Sequence, residues 1–378
     1  MVHVHSPASV EPVRIVHVSS AHPWTDNRVH LREAASLASA GYSVSLIAVD
    51  SDGTVPETGV RVVRLPKRRR LNRVTLGTLA AVVAGLRTRA SVFHLHDPEL
   101  VWSVPLLRLL GKKVIYDAHE DLPTQVLGKH YANQKVMPAF IRLALIVVWL
   151  SKFSNHVIAA TETIAARYNP ARVTVVHNYP KGSASDSRAA PAAERPFGAV
   201  YVGAIDVNRG ALQMVDAAGS QATASQWKLE LAGPIADDSL RKRLELRAGW
   251  AHVNFHGQVS PSDARLLVAS VPIGLVVLQS TPAYLDSLPT KMFEYMSAGT
   301  AIIASDFPLW RDIIEKHNCG VLVDETSVES ITAAIDRYAS DPDLLKLHGN
   351  NARKAAKSFT WAQEESVLLS VYERLICR

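Results

Sequence analysis

The stretch "DSLPTKMFEYMSAGTAIIASD", residues 286–306, passes from a turn through a helix to a glycine and a buried strand. Pro289 suits a first helical turn, and Ser287 or Thr290 suits the cap of a helix over 288–298. Met292, Phe293, Tyr295 and Met296 fill the faces expected to meet a core, and Gly299 closes the helix. "TAIIAS" (300–305) follows as an apolar strand, and short apolar strands between helices mark a buried parallel sheet.

The same unit recurs along the chain. Strands are predicted at 13–19, 43–49, 60–65, 91–96, 113–119, 156–161 and 173–178, with helices between most of them. One helix, 28–40, ends at Gly41. "YPKGSASDSRAAPAAERP" (179–196) then breaks the pattern with Pro, Ser, Ala and Gly, the composition of a linker. The alternation restarts with strands at 197–203, 228–233, 252–257, 273–278, 300–305 and 320–323. Two doubly wound α/β domains are therefore expected, residues 1–180 and 197–358, joined by a linker at 181–196 and followed by an amphipathic helix at 359–378. Two such domains facing each other make a cleft, and sheets of this kind bind ligands outside the carboxyl ends of their strands.

Bulk properties agree with this plan. A length of 378 residues favours two domains over one core. An apolar content of 48% with 20% charged residues describes a globular chain. Two cysteines, Cys319 and Cys377, argue against a disulfide framework or a structural metal cluster and favour the cytoplasm. No signal-peptide pattern opens the sequence, and "MPAFIRLALIVVWLSKF" (137–153), the most apolar window, is too short and too interrupted to span a bilayer. Residues 1–180 hold 21 Lys+Arg against 12 Asp+Glu, an excess of 9; the remainder, with 20 against 23, has a deficit of 3. The excess includes "PKRRRLNR" (66–73), which suits an anionic lipid, a phosphorylated substrate or simply a solvated face. No nucleic-acid-binding motif accompanies it.

Lys291 and Glu294 raise the chemical question. A lysine in the first turn opposes the helix dipole by roughly 0.3–1 kcal/mol. The placement makes sense if an anion, a diphosphate above all, sits between the cation and the open N–H groups of the helix start. Glu294 lies three residues on, on the same face. The ordinary alternative is a surface ion pair worth about 0.2–0.5 kcal/mol.

"LPTKMFEYMSAG" followed by "TAIIASD" resembles the nucleotide-sugar site of glycosyltransferase family four, the retaining group with the GT-B fold. The resemblance implies two Rossmann-like domains facing a central cleft, with the last helix crossing back to the N-terminal domain. It gives Lys291 the donor diphosphate and Glu294 the ribose hydroxyls. It puts a glutamate eight positions earlier against the donor sugar, where this chain has Asp286, shorter by one methylene. "YVGAIDVNRG" (201–210) resembles the family's first C-terminal strand and loop. Gly203 keeps the glycine, Arg209 stands for the usual lysine, and Ala204 replaces an arginine. Ser287, Leu288, Pro289 and Thr290 complete the implied donor loop. "LAGP" (231–234), "FHGQVS" (255–260) and "CGVLVD" (319–324) resemble the family's later loops.

The same resemblance assigns the acceptor to the N-terminal domain. His119, in "YDAHEDLPTQV" (116–126), is implied to lie against the donor sugar, with Glu120 and Asp121 beside either substrate. Asp26, Asn27 and Arg28 occupy the first strand-to-helix loop, where an ordinary Asp or Asn cap is the competing explanation. His96, Asp97 and Glu99 follow the fourth strand, where a capped helix start is the alternative. The implied reaction uses Lys291, Arg209, His119 and Asp286, needs no metal or other cofactor, and moves a sugar from a UDP- or GDP-type donor to a small-molecule or lipid-linked acceptor. The basic N-terminal half and the 137–153 segment would suit peripheral contact with a membrane's inner face. A sugar-nucleotide epimerase or hydrolase of the same fold, or a non-catalytic nucleotide-sugar sensor, remain the rival readings. His3 and His5 fall on an unpatterned terminus and form no convincing metal site, and no metal-ligand spacing, P-loop or nucleophile elbow occurs.

Overall fold

The computed structural model describes residues 11–127, 137–182, 189–220 and 227–377. His3 and His5 lie outside them, as do residues 183–188 of the expected linker. All thirteen expected strands form, each within about four residues of its expected ends.

The N-terminal unit takes in the chain up to His177 and again from Ala362. Its strands are β1 (Arg14–Pro23), β2 (Ser43–Val49), β3 (Arg61–Leu65), β4 (Val92–Leu95), β5 (Lys113–Ala118), β6 (His156–Ala159) and β7 (Val173–Val175), wholly parallel in the order β3-β2-β1-β4-β5-β6-β7. The C-terminal unit, Asn178–Trp361, holds β8 (Gly198–Val202), β9 (Lys228–Ala232), β10 (Val253–Gly257), β11 (Ile273–Val276), β12 (Ala301–Ser305) and β13 (Gly320–Val323), parallel in the order β10-β9-β8-β11-β12-β13. Both sheets reverse direction of growth at one point, between β1 and β4 and between β8 and β11. A crevice opens at such a point because neighbouring crossovers leave toward opposite faces. The central strands β8 and β11 read as unbroken apolar runs because helices cover both of their faces, whereas β1 and β4 carry the buried His17 and His94.

The last helix, Trp361–Ile376, packs on the N-terminal unit through buried Leu368, Val371 and Tyr372. The Tyr372 hydroxyl lies 2.8 Å from His94 Nδ1 on β4, and the Glu364 carboxylate accepts a hydrogen bond from His177 N at 2.8 Å.

Three local expectations are corrected. The helix after the first strand is π-wound over Asn27–Ala34 before a short α segment, Ala35–Ser39. The C-terminal part of the linker is packed rather than free: Ala192 is buried, and the Arg195 guanidinium donates to the Ala190 and Val271 carbonyls and to Thr300 Oγ1. The donor-loop helix spans Thr290–Ala298, and neither Ser287 nor Thr290 caps it. Pro289 holds the cap position with no side-chain hydrogen bond, while Ser287 Oγ donates backwards to the Tyr284 carbonyl at 3.0 Å.

Candidate functional site

In the C-terminal unit the loops after β8 and β11 converge on one lysine. Gly203 follows β8 with φ +139°, and a side chain there would bring its Cβ within 3.2 Å of Lys291 Nζ and 3.8 Å of the Arg209 guanidinium. Glycine is therefore needed for its conformation, and it also leaves room for the Lys291 ammonium. Asp206 caps the turn Val207–Arg209 and pairs with Arg209 Nε at 3.2 Å, which sets Arg209 at the loop's edge.

Lys291 is 8% exposed, and its Nζ sits 3.6 Å from the centroid of the Tyr201 ring. No acceptor lies within hydrogen-bond reach of that ammonium among the described residues. Burial, and then the charge of Arg209, hold its pKa well below the ordinary value of 10.5, against the opposing pull of Glu294 and Asp206. A cation–π contact compensates only part of the lost hydration. The helix start beside it offers N–H groups that no side chain caps. A buried, unmatched ammonium, a guanidinium and an open helix start together make a receptor for a strongly charged anion. Glu294 is half-buried one turn along, and its charge favours the ionised form of Lys291.

The remaining donor-loop residues line the approach. Asp286 is exposed at the end of the short helix Pro282–Leu285. Ser287 is pinned through its carbonyl, which accepts from Trp310 Nε1 at 2.6 Å, and Leu288 packs against the adjacent core. Tyr201 and Tyr284, which both interact with Arg209, went unrecognised in the sequence. An aromatic residue inside an apolar strand, like Tyr201, or in a four-residue helix, like Tyr284, carries no signal that it will meet a cation.

In the N-terminal unit the groups expected to meet an acceptor are largely bound to one another. Arg28 is 5% exposed; its Nε and Nη2 donate to both oxygens of Asp117 at 3.0 and 2.7 Å, and its Nη1 donates to the Val176 carbonyl at 2.9 Å. Asp26 Oδ1 accepts from the N–H groups of Arg28 and Val29, an ordinary cap. Asp121 Oδ2 accepts from the Thr124 hydroxyl at 2.8 Å and pairs with Arg167 at 2.7 Å. His96 and Asp97 are buried; Asp97 accepts from Ser19 Oγ at 2.8 Å and Ala21 N at 3.1 Å, and lies 2.8 Å from His22 Nδ1. Arg28, Asp26, His96 and Asp97 thus serve the framework of the unit, because the bonds named here engage them within it; Asp121 is engaged through Oδ2, while its buried Oδ1 has no partner among the described residues. Glu99 is half-buried and pairs with Arg73 at 2.9 Å. Asn27 and Glu120 are exposed, and His119 is half-buried.

His119 Nδ1 lies 3.3 Å from Asp117 Oδ2, and its ring meets His22 edge-on with centroids 5.0 Å apart. Burial lowers His22, but the Asp97 carboxylate outweighs it and raises His22 to about 9. Burial raises Asp97, yet His22, Ser20 and Ser19 hold it at about 2. At neutral pH these two form an ion pair behind His119.

Comparison with known proteins matches the two halves of the chain in succession. The model for Glycosyltransferase Family 4 matches residues 26–179, and that for Glycosyl transferases group 1 matches residues 183–355. The lipopolysaccharide core biosynthesis mannosyltransferase LpcC of Rhizobium leguminosarum bv. viciae is 30% identical over 158 residues, which cover 40% of this chain and 43% of that protein. The match thus spans less than half of that relative's length. Among solved structures, sucrose-phosphate synthase from Thermosynechococcus elongatus superposes with a TM-score of 0.74 at 18% identity, over 97% of this chain and 99% of that one. The Anabaena protein HepE, in complex with UDP and glucose, gives 0.74 at 14% identity, over 96% of this chain and 100% of that one.

Proposed function

This chain belongs to the family 4 and group 1 glycosyltransferases and has their GT-B fold, and from that premise we propose that it moves a sugar from a nucleoside-diphosphate donor to an acceptor, with retention of configuration. The observation that carries the donor half is Lys291: a buried ammonium with no acceptor, beside Arg209 and an uncapped helix start. A diphosphate supplies the missing charge. HepE, solved with UDP and glucose, lends support to a nucleotide-sugar donor.

As the bond from the anomeric carbon to the phosphate oxygen breaks, charge builds on the departing diphosphate. Lys291, Arg209 and the helix N–H groups meet that charge where it develops, so they lower the barrier rather than only hold the ground state. Glu294 takes the ribose hydroxyls, and Asp286 orients the sugar. The leaving phosphate oxygen accepts the proton of the incoming acceptor on the same face, so the scheme needs no protein nucleophile. It also needs no metal at the reacting centre, because fixed cations and amides do that work.

The acceptor belongs to the N-terminal unit and is a small molecule or a lipid-linked one. The helix Met137–Ser151 favours the lipid-linked form. It exposes Phe140, Leu143, Leu145, Ile146 and Trp149, the last by 58%. Exposed apolar residues beside a basic composition suit shallow contact with an anionic membrane face. Among the described residues no helix is long and apolar enough to cross a membrane. Sedimentation with anionic liposomes at low and moderate salt tests this form; absence of binding at both leaves the soluble acceptor.

The decisive experiment is a thermal-shift panel of UDP-, GDP- and dTDP-sugars on the wild type and on Lys291→Ala. A ligand that binds the folded state raises the apparent melting point. One nucleotide class should stabilise the wild type and not the variant. A panel with no response, or wild-type turnover in Lys291→Ala, would remove the site assignment.

A further inference from the structure

The N-terminal unit holds a second set of unmatched polar atoms, one layer below the strand ends. His17 on β1 and His94 on β4 are direct register partners. His96 lies two residues on and shares the face of His94. Glu33, from the first helix, joins them, and all four side chains are fully buried.

Hydrogen bonds account for part of this set. His17 Nδ1 and His96 Nε2 are 2.9 Å apart, His96 Nδ1 lies 3.1 Å from Asp117 Oδ2, and His94 Nδ1 lies 2.8 Å from the Tyr372 hydroxyl. Four atoms are left over: His17 Nε2, His94 Nε2 and both carboxylate oxygens of Glu33 have no hydrogen-bond partner among the described residues. Glu33 Oε1 has the Arg28 Nε as an ionic neighbour at 3.0 Å. Glu33 Oε2 faces imidazole edges, His94 Nδ1 at 3.7 Å and His96 Nδ1 at 4.0 Å. Carboxylate oxygens and imidazole nitrogens are lone-pair donors, and what they lack in common is a cation.

We propose that His17, Glu33, His94 and His96 hold a divalent transition-metal ion of the zinc class inside the N-terminal unit. One donor atom from each of the four lies within 4.8 Å of the other three. Zinc–nitrogen bonds of about 2.0–2.1 Å put donor atoms roughly 3–3.4 Å apart. The approach of His17 Nδ1 to His96 Nε2, 2.9 Å, is already close to that spacing, whereas Glu33 Oε2 faces the Nδ1 edges of His94 and His96 and has to turn to reach the same ion. Three imidazoles with one carboxylate favour zinc and its neighbours over magnesium or calcium, which prefer oxygen alone. Asp117 and Tyr372 occupy the outer positions that orient metal-bound imidazoles, each against a ring nitrogen. With all four ligands buried, the ion is structural: it ties β1, β4 and the first helix together and takes no part in sugar transfer.

The test uses the full chain without a histidine tag, produced in zinc-supplemented medium and dialysed against metal-free buffer. Elemental analysis should find about one zinc per chain, as a closed structural site requires. Refolding with cobalt in place of zinc should give the visible absorption of four-coordinate cobalt, and zinc but not magnesium should raise the melting point of the metal-stripped protein. Glu33→Gln and His17→Gln should each lose most of the metal. His256→Ala, which removes an exposed histidine 2.5 Å from Glu230, should keep it. Less than about a tenth of an equivalent of zinc in the wild type, with no cobalt absorption after refolding, overturns the proposal. So does metal that survives Glu33→Gln and His17→Gln but is lost in His256→Ala. Where the ligand variants fail to fold, the wild-type cobalt spectrum decides alone.

Discussion

At the reversal of strand order, β8 and β11 in one unit and β1 and β4 in the other, the two sheets present opposite chemistry. The C-terminal unit gathers cations and N–H donors, and Lys291 is left without an acceptor among the described residues. The N-terminal unit, at the same topological point, ties its charged groups to one another: Arg28 to Asp117, Asp97 to His22. What it leaves unmatched lies deeper and consists of lone pairs, on His17, His94 and Glu33. One strand order thus supports an anion receptor in one unit and a closed ionic lattice in the other. Fold alone therefore does not tell which end of a doubly wound sheet is open to substrate; the inventory of unmatched polar atoms does.

The comparison breaks most visibly at Asp117. Replacing Asp117 with Asn should strand the buried Arg28 charge and cost about 3–5 kcal/mol of stability, read by urea denaturation. A loss no larger than that of an exposed substitution would mean the N-terminal charges are not a closed lattice.

Lys291→Met is the matching experiment in the other unit and should have the reverse character. Stability should hold or rise, because an unmatched buried ammonium is replaced by an apolar chain. Turnover should fall on the order of 10²–10³-fold, the usual cost of one fixed donor at a developing anion. In the wild type, burial and Arg209 depress the Lys291 pKa. A bound diphosphate raises that pKa again, so donor binding should take up a proton at pH values between the free-state and bound-state pKa. Affinity should then fall as pH rises past the free-state pKa, and calorimetry in buffers of different ionisation heat measures the uptake.

A smaller effect is expected at Glu294. Glu294→Gln keeps the shape but removes the charge that would meet the ribose hydroxyls, and donor affinity should drop roughly 10- to 100-fold. An equal loss with a donor lacking the 2′-hydroxyl would place Glu294 elsewhere.

The smallest lies where the last helix docks. Burial lowers His177, but the Glu364 and Glu162 carboxylates outweigh it and raise its pKa above the ordinary 6.5. The pair's contribution is therefore complete below about 6.5 and is lost as pH rises through the higher folded value. His177→Gln should flatten the melting temperature across that window, by an amount equivalent to 1 kcal/mol or less.

Much of this plan was legible before any coordinates. Thirteen strands were readable because short apolar runs between helical periods are a local signal, and Lys291 with Glu294 was readable because the helix start and their spacing lie within six residues. The cap of that helix was misread: Ser287 has the right chemistry, but its hydroxyl turns back to Tyr284, and Pro289 takes the position. Arg28 and Asp97 are expected from the sequence as acceptor-side groups of two loops, because nothing near either residue announces its buried partner.

The sequence by itself determined the two doubly wound units and singled out the lysine around which we propose a donor site, since these rest on periods of two and 3.6 residues and on motifs within one loop. Tertiary structure alone decided which polar groups are free. Arg28 meets Asp117 across 89 residues, His17 meets His96 across 79, and His94 meets Tyr372 across 278. Desolvation acts on whatever a polar atom touches in space, so whether it becomes framework, anion receptor or metal ligand is settled only when distant segments pack.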